Sequence, residues 1–325
     1  MSKSLKKIKW GIIGLGKIAN KFAIDLTTIE NVELIAVASR NQENSNAFAK
    51  KYNAKKAYNS YEDLAKDTEV DAVYIATPHS FHKQHSILCL QNKKAVLCEK
   101  PFAMNLQEVE EMIAVAKENN VLLMEALWTY FLPHYQYVLD IFNTKKFGKL
   151  IRLEADFGFK PAYNLDSRLI KKEIGGGSLL DIGIYPIFAA LSTLGIPNTI
   201  DANATFFDTG ADSACSMIFN YHDAKAHLKS TFKEKTKTEA VFTFEEAIVK
   251  LNTMFHQPTT VTILKDKTQK TIDFDYKTIG YNFETEHFNN LVREQKKESN
   301  IMTFEFSRKL IKTLDEVREI IGLEY

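Results

Sequence analysis

Apolar positions along this chain follow two rhythms, and the change between them near residue 127 divides it. Before that point, short and largely apolar runs at 7–13, 32–38, 71–76, 95–98 and 121–124 alternate with segments of helical period after Gly16 and at 44–51, 79–91 and 106–118. Strands without a polar face need helices on both sides, so the pattern predicts a doubly wound parallel sheet. Beyond Trp128 the period drops to two. Ile151 to Phe157 alternates apolar and polar, which buries one face of a strand and leaves the other wetter. Further strand-like runs near 200–207, 212–220, 225–232, 239–251, 259–265 and 270–276 predict an open, mostly antiparallel sheet with flanking helices.

The first strand runs into Gly14-Leu15-Gly16-Lys17-Ile18-Ala19 and then a helical pattern. Gly14 permits a tight turn, Gly16 lets the backbone approach a pyrophosphate, and Ala19 lets helix and strand pack closely. This is the dinucleotide fingerprint of a Rossmann domain, with the anion on unpaired N–H groups of the segment Leu15 to Ile18. The expected organisation is an α/β Rossmann domain over residues 1–126 that binds NAD(P). An α+β domain over residues 127–325 then serves substrate binding and dimerisation, with the last helix free to pack back on the first domain. The second strand ends in Ser39 and Arg40, with no acidic residue there to hold a ribose hydroxyl. Glu33 begins that strand, well over 15 Å from its ligand end at about 3.3 Å per residue. A hydroxyl and a guanidinium suit the 2′-phosphate of NADP, which is therefore expected, with NAD possible; the other reading of Arg40 is a plain surface arginine.

A length of 325 residues suggests two domains, each able to bury a core. The 42 basic and 41 acidic residues nearly cancel, so neither a nucleic acid nor a membrane surface is an expected partner. No signal-type apolar run, twin arginine or stretch of transmembrane length stands out, and a cytoplasmic location is expected. Cys89, Cys98 and Cys215 are scattered, which fits reduced core thiols. His79, His82 and His85 fan across a wide helix sector with no cysteine or carboxylate spaced to complete a site, so no metal is expected. His85 is expected at the surface.

Two segments carry candidate chemistry. Val96-Leu97-Cys98-Glu99-Lys100-Pro101 ends a strand with a lysine at its carboxyl end, where ligands of open α/β sheets bind, although Lys100 also reads as a solvated turn lysine. Gly175-Gly176-Gly177 precede an apparent helix on which Asp181 and Tyr185, four residues apart, share a face. Taken alone, Tyr185 also fits a core position. The ordered set Gly14-x-Gly16-x-x-Ala19, Ala76-Thr77-Pro78-His79-Ser80-Phe81-His82, Glu99-Lys100-Pro101 and the glycine segment ending at Tyr185 resembles the Gfo/Idh/MocA family over essentially the full length. Glu125-Ala126-Leu127-Trp128 and the tyrosine at 185, where many relatives carry histidine, look most like its dimeric dihydrodiol dehydrogenase branch. Tyr130 departs from that branch, which often has arginine there.

The resemblance implies a homodimeric oxidoreductase that transfers a hydride between NADP(H) and a secondary alcohol or carbonyl of a sugar, polyol or cyclic diol. It assigns catalysis to Lys100 and Tyr185 with Asp181 in support, and it places Thr77, Pro78, His79, His82 and Glu99 at the cofactor. A phenol near pKa 10 needs help to act as a base, and an adjacent ammonium such as Lys100 supplies it. Trp128 and Phe157 are candidates for an apolar substrate wall or ordinary core aromatics. Two other functions within the family stay open, an NAD-cycling lyase or glycosidase and a nucleotide-sensing regulator.

Overall fold

The computed structural model describes residues 6–162, 164–165 and 167–325. They form two compact units: the chain up to Trp128 together with Lys277–Arg308, and Thr129–Tyr276 together with Lys309–Tyr325. The break follows Trp128 rather than residue 126, and the chain returns to the first unit near its end.

In the first unit, β1 (Ile8–Ile13), α1 (Lys17–Leu26), β2 (Val32–Ala38), α2 (Gln42–Tyr52), β3 (Lys56–Tyr58), α3 (Tyr61–Lys66), β4 (Ala72–Ile75), α4 (His82–Gln91), β5 (Ala95–Glu99), α5 (Leu106–Asn119) and β6 (Leu123–Ala126) follow in turn. The sheet runs β3-β2-β1-β4-β5-β6 with every pairing parallel. Its order reverses between β1 and β4, the switch point at which such sheets open a crevice beyond their carboxyl ends.

The second unit contains α6 (Pro133–Asn143), β7 (Leu150–Gly158), α7 (Ile184–Leu194) and β8 (Thr199–Phe206), β9 (Asp212–Asn220), β10 (Lys225–Thr231), β11 (Ala240–Phe244), β12 (Ile248–Leu251), β13 (Val261–Lys265) and β14 (Thr268–Ile272). Its sheet order is β14-β13-β12-β11-β7-β10-β9-β8, antiparallel except where β7 meets β10. The run expected at 239–251 is a hairpin, closed where the Phe244 N–H donates to Ala247 O at 2.8 Å. One sheet face packs on α7, and the other carries exposed Ile218, Ile248 and Leu264. Within Lys172–Leu194 one apolar window has the length and composition of a membrane span, but 94% of that window is buried inside the protein, so it is read as core in line with the expectation that no span is present.

The return to the first unit brings α8 (Tyr281–Arg293) and the start of α9 (Phe304–Ile321). Asp25, buried in the last turn of α1, accepts from the backbone N–H groups of Ile279, Gly280 and Tyr281 at 3.0, 2.7 and 2.8 Å. A single carboxylate thus satisfies backbone donors leading into a helix start, where the helix itself supplies no partners. Trp10 on β1 donates its indole N–H to Asn289 on α8 at 3.0 Å.

Buried carboxyls also mark this unit. Glu125 on β6 accepts the Phe102 N–H at 3.0 Å, and burial, opposed by that contact and the Ser307 hydroxyl, pushes its carboxyl up to about 7. An acid raised in the folded state favours folding below its unfolded pKa, and that advantage is lost as pH rises towards about 7. Glu125→Gln removes the titration. We expect melting curves to show Gln gaining on the natural protein between pH 5 and 8, on the order of 1–3 kcal/mol. Parallel pH dependences of the two proteins would refute this.

Candidate active site

The glycine turn between β1 and α1 is built for an anion. Gly14 sits at φ +87, and a Cβ there would lie 2.8 Å from the backbone of Ala76 and Thr77, so the turn crosses the end of β4 at a distance that no side chain permits. Gly16, by contrast, has nothing within 4 Å of its Cβ direction. It is the N-cap of α1 and no side chain caps that helix, so the N–H groups around Lys17 and Ile18 are available to a pyrophosphate. These features fit a dinucleotide.

At the end of β2, Ser39 donates its hydroxyl proton to Asn41 O at 2.7 Å, and its own N–H donates to Ser45 Oγ at 3.0 Å. The expected contact between this hydroxyl and a phosphate therefore meets a donor already spent in bracing the loop. Arg40 next to it is exposed and is the group left to meet an anion.

Beyond β4, Thr77, Pro78 and His79 lead through a short 3₁₀ turn into α4. The His82 ring bridges Thr77 O at 2.9 Å and Pro101 O at 2.8 Å, tying this loop to the one after β5. Burial pushes its imidazole down to about 4, so the neutral ring has one N–H to donate between two carbonyls. His79 is buried, with its ring 5.6 Å from that of His82. His85 is buried too, contrary to the surface position expected of it: Nδ1 lies 3.0 Å from Thr77 Oγ1 and the ring packs on Tyr61 at 4.6 Å. Glu99 closes β5, accepting the Tyr74 hydroxyl and the Lys100 N–H. Tyr74 is fully buried, and burial and the Glu99 charge hold its phenol well above the usual value. Glu99 and Lys100 at the end of β5 therefore lie at the same carboxyl edge of the sheet as Thr77 after β4 and His82 at the start of α4. Trp128 stacks on Tyr281 with ring centres 4.4 Å apart.

The remaining candidates belong to the second unit. Leu179–Gly183 is a π-helical turn rather than the α-helix expected, and it leads directly into α7, whose second residue is Tyr185. Asp181 on that turn accepts from the Arg168 guanidinium at 3.2 Å. The buried Tyr185 ring lies 5.7 Å from Phe157 and 5.0 Å from His256, and His256 stacks on Phe157 at 4.2 Å. Tyr130 packs against Phe188 at 5.1 Å, one turn further along α7. A phenol, an imidazole and an apolar ring thus form one wall, with a carboxylate on the preceding turn.

Sequence reasoning missed His256 and Arg168. The loop holding His256 is pinned at its carbonyls, by His134 Nε2 on Phe255 O at 2.9 Å and by the Thr129 hydroxyl on His256 O at 2.7 Å. Those partners are more than a hundred residues away, and no spacing announces them.

Comparison with known proteins bears on the family and the fold. Residues 8–127 match an oxidoreductase family with an NAD-binding Rossmann fold, and residues 135–250 match the GFO/IDH/MocA C-terminal domain. A trans-1,2-dihydrobenzene-1,2-diol dehydrogenase from Xenopus tropicalis is 35% identical, covering 98% of this chain and 99% of its own. The scyllo-inositol 2-dehydrogenase (NADP(+)) IolU of Bacillus subtilis (strain 168) is 34% identical with 98% of each chain covered. Among solved structures, the 3-ketoreductase KijD10 of Actinomadura kijaniata, in complex with NADP and TDP-benzene, superposes with TM-score 0.86 and 25% identity over 97% of this chain and 98% of its own. The fold is also that of the aldose-aldose oxidoreductase of Caulobacter crescentus, with TM-score 0.89, 19% identity and 98% of both chains covered. With a nucleotide turn at one strand end, a tyrosine wall in the second unit and relatives matched end to end, the chain belongs to the Gfo/Idh/MocA family of oxidoreductases.

Proposed function

We propose that this protein is an NADP-dependent dehydrogenase or reductase that interconverts a secondary alcohol and its carbonyl on a sugar, polyol or cyclic diol. The observation that carries the reading is the Tyr185 phenol set among Phe157 and His256 on the first turn of α7, with Asp181 on the turn before it. Relatives named for a cyclic diol and for inositol support the substrate class. When bound, the nicotinamide supplies the two-electron acceptor or donor. Gly14, Gly16 and the start of α1 would hold the dinucleotide's pyrophosphate, Arg40 its 2′-phosphate, and the Thr77 to His82 and Glu99 to Lys100 loops its remainder. Tyr185 takes up the proton of the substrate hydroxyl in oxidation and returns it in reduction. Lys100 is the second residue this reading gives to catalysis, as its source of positive charge, and Asp181 orients the substrate hydroxyl. Trp128 and Phe157 are apolar surfaces for the substrate.

We assign the outer face of the second unit's sheet to a second copy of the chain. Its register sets Glu154 beside His227 and Asp156 beside Lys229, and a groove of about 530 Å³ runs among these residues and Asp201. Alternating charges with interspersed Ile218 and Ile248 suit a self-complementary, two-fold contact. The free, buried thiols at 89, 98 and 215 suit a reducing compartment such as the cytoplasm.

Three experiments test these assignments. Arg40→Ala should cost NADP about 1.5–3 kcal/mol of binding and NAD little, read by fluorescence titration; equal affinities of the natural protein for both cofactors would remove the 2′-phosphate assignment. Screening polyols, sugars and diols by NADPH absorbance identifies a substrate. On that substrate Tyr185→Phe should lower kcat by about 10² to 10⁴ with cofactor affinity nearly unchanged. Lys100→Met should be as severe and the double mutant far from additive. A folded Tyr185→Phe protein that keeps most of its kcat makes the tyrosine structural. Light scattering at micromolar concentration should give twice the chain mass, with Ile218→Asp shifting it towards one; a natural protein of single-chain mass removes the dimer.

A further inference from the structure

The π-helical turn Leu179–Gly183 is held by a buried acid that the reaction does not use. Asp212, the first residue of β9, is fully buried. Its Oδ2 accepts from the Ser178 hydroxyl at 2.7 Å and from the Leu179 N–H at 2.8 Å. Ser178 Oγ also lies 3.0 Å from Ser230 Oγ on β10, so two adjacent strands grip the start of the turn. The glycines on either side answer to the same grip. At Gly177, φ +129, a Cβ would fall 2.1 Å from Asp212 Oδ1, and at Gly183 one would fall 3.0 Å from Ser230 Oγ. Asp212 Oδ1 itself has no hydrogen-bond partner among the described residues.

A carboxylate is a costly anchor in such a place. Burial, opposed by the Ser178 and Leu179 contacts, pushes Asp212 up to about 6. A serine or asparagine cap on an exposed helix start does the capping without that penalty. What the anchor secures here is register. A π turn carries one residue more than an α turn, and losing it would rotate everything downstream by about 100° around the helix axis relative to Ser178. Tyr185 lies just downstream.

We propose that Asp212 is a positioning residue for Tyr185: by clamping Ser178 and Leu179 to the ends of β9 and β10, it keeps the turn in its π register and so sets where the phenol is presented. The proposal rests on the reading of Tyr185 given above, and the experiment separates the two. In the full-length protein, Asp212→Ala should lower kcat on the screened substrate on the order of 10²-fold, the size of effect a displacement of about 1 Å produces, with KM and NADP affinity changed little. Asp212→Asn keeps an acceptor for the Leu179 N–H and should recover most of the loss. Adding Asp212→Ala to Tyr185→Phe should cost almost nothing further. Amide hydrogen exchange, which needs no substrate, should rise at 179–185 in Asp212→Ala and stay unchanged in the first unit.

Unaltered exchange at 179–185, or a folded Asp212→Ala protein with kcat within twofold of the natural one while Tyr185→Phe is inactive, overturns the positioning role. A harmless Tyr185→Phe removes the tyrosine's catalytic role instead, and the exchange result then decides the clamp. Should Asp212→Ala fail to fold, Asp212→Asn and Ser178→Ala carry the same measurements, with Ser178→Ala expected to give the smaller loss of kcat and the smaller rise in exchange.

Discussion

Helix starts present N–H groups that their own helix cannot satisfy, and burying them unpaired is prohibitive. Three starts in this protein meet that constraint in two ways. The start of α8 is closed by Asp25 and the start of the π turn by Asp212, each a buried carboxylate accepting main-chain donors. The start of α1 receives no side chain at all, and the space before it, at Gly16, is empty. Where the chain supplies its own anion, the helix is a fixed part of the scaffold. At α1, where it withholds one, the donors are those the proposed function gives to the dinucleotide.

How far the sequence could be read follows the range of the interactions involved. The alternation of apolar runs and helical segments reports a sheet covered on both faces, because that requirement acts on nearly every residue of β1, β2, β4 and β5. The glycine turn was legible for a similar reason: only glycine fits 2.8 Å from the Ala76 backbone at positive φ. Ser39 was not. Its hydroxyl chose between a phosphate and a backbone carbonyl two residues away, and nothing in residue type distinguishes the two. His85 lies on a helix of mixed polarity, and its burial depends on Tyr61 and Phe81 closing over it.

The candidate site was legible in halves. Lys100 stands out by its place at the end of an apolar strand, and Tyr185 by the glycines before it. The residues that determine their surroundings do not stand out. Asp25, Asp212 and His256 act through contacts to distant stretches of chain, Arg168 through one 13 residues on, and a single polar residue at a strand or helix end is ordinary. The π turn was invisible for another reason. It differs from an α turn by one residue, and the side-chain pattern across four positions is nearly the same in both.

The discontinuity of the first unit bears on how the molecule is made. The carboxylate of Asp25 and the indole of Trp10 are translated early, but their partners at 279–281 and 289 lie near the far end of the chain. At about 5–20 residues per second, a ribosome needs on the order of 10–30 s between releasing Trp128 and releasing Asn289. Throughout that interval the nascent Rossmann sheet has an unsealed flank, with α1 carrying a bare carboxylate and the rings of Trp10 and Phe22 uncovered. The first unit is therefore completed only once Lys277–Arg308 has followed the whole of Thr129–Tyr276 out of the ribosome.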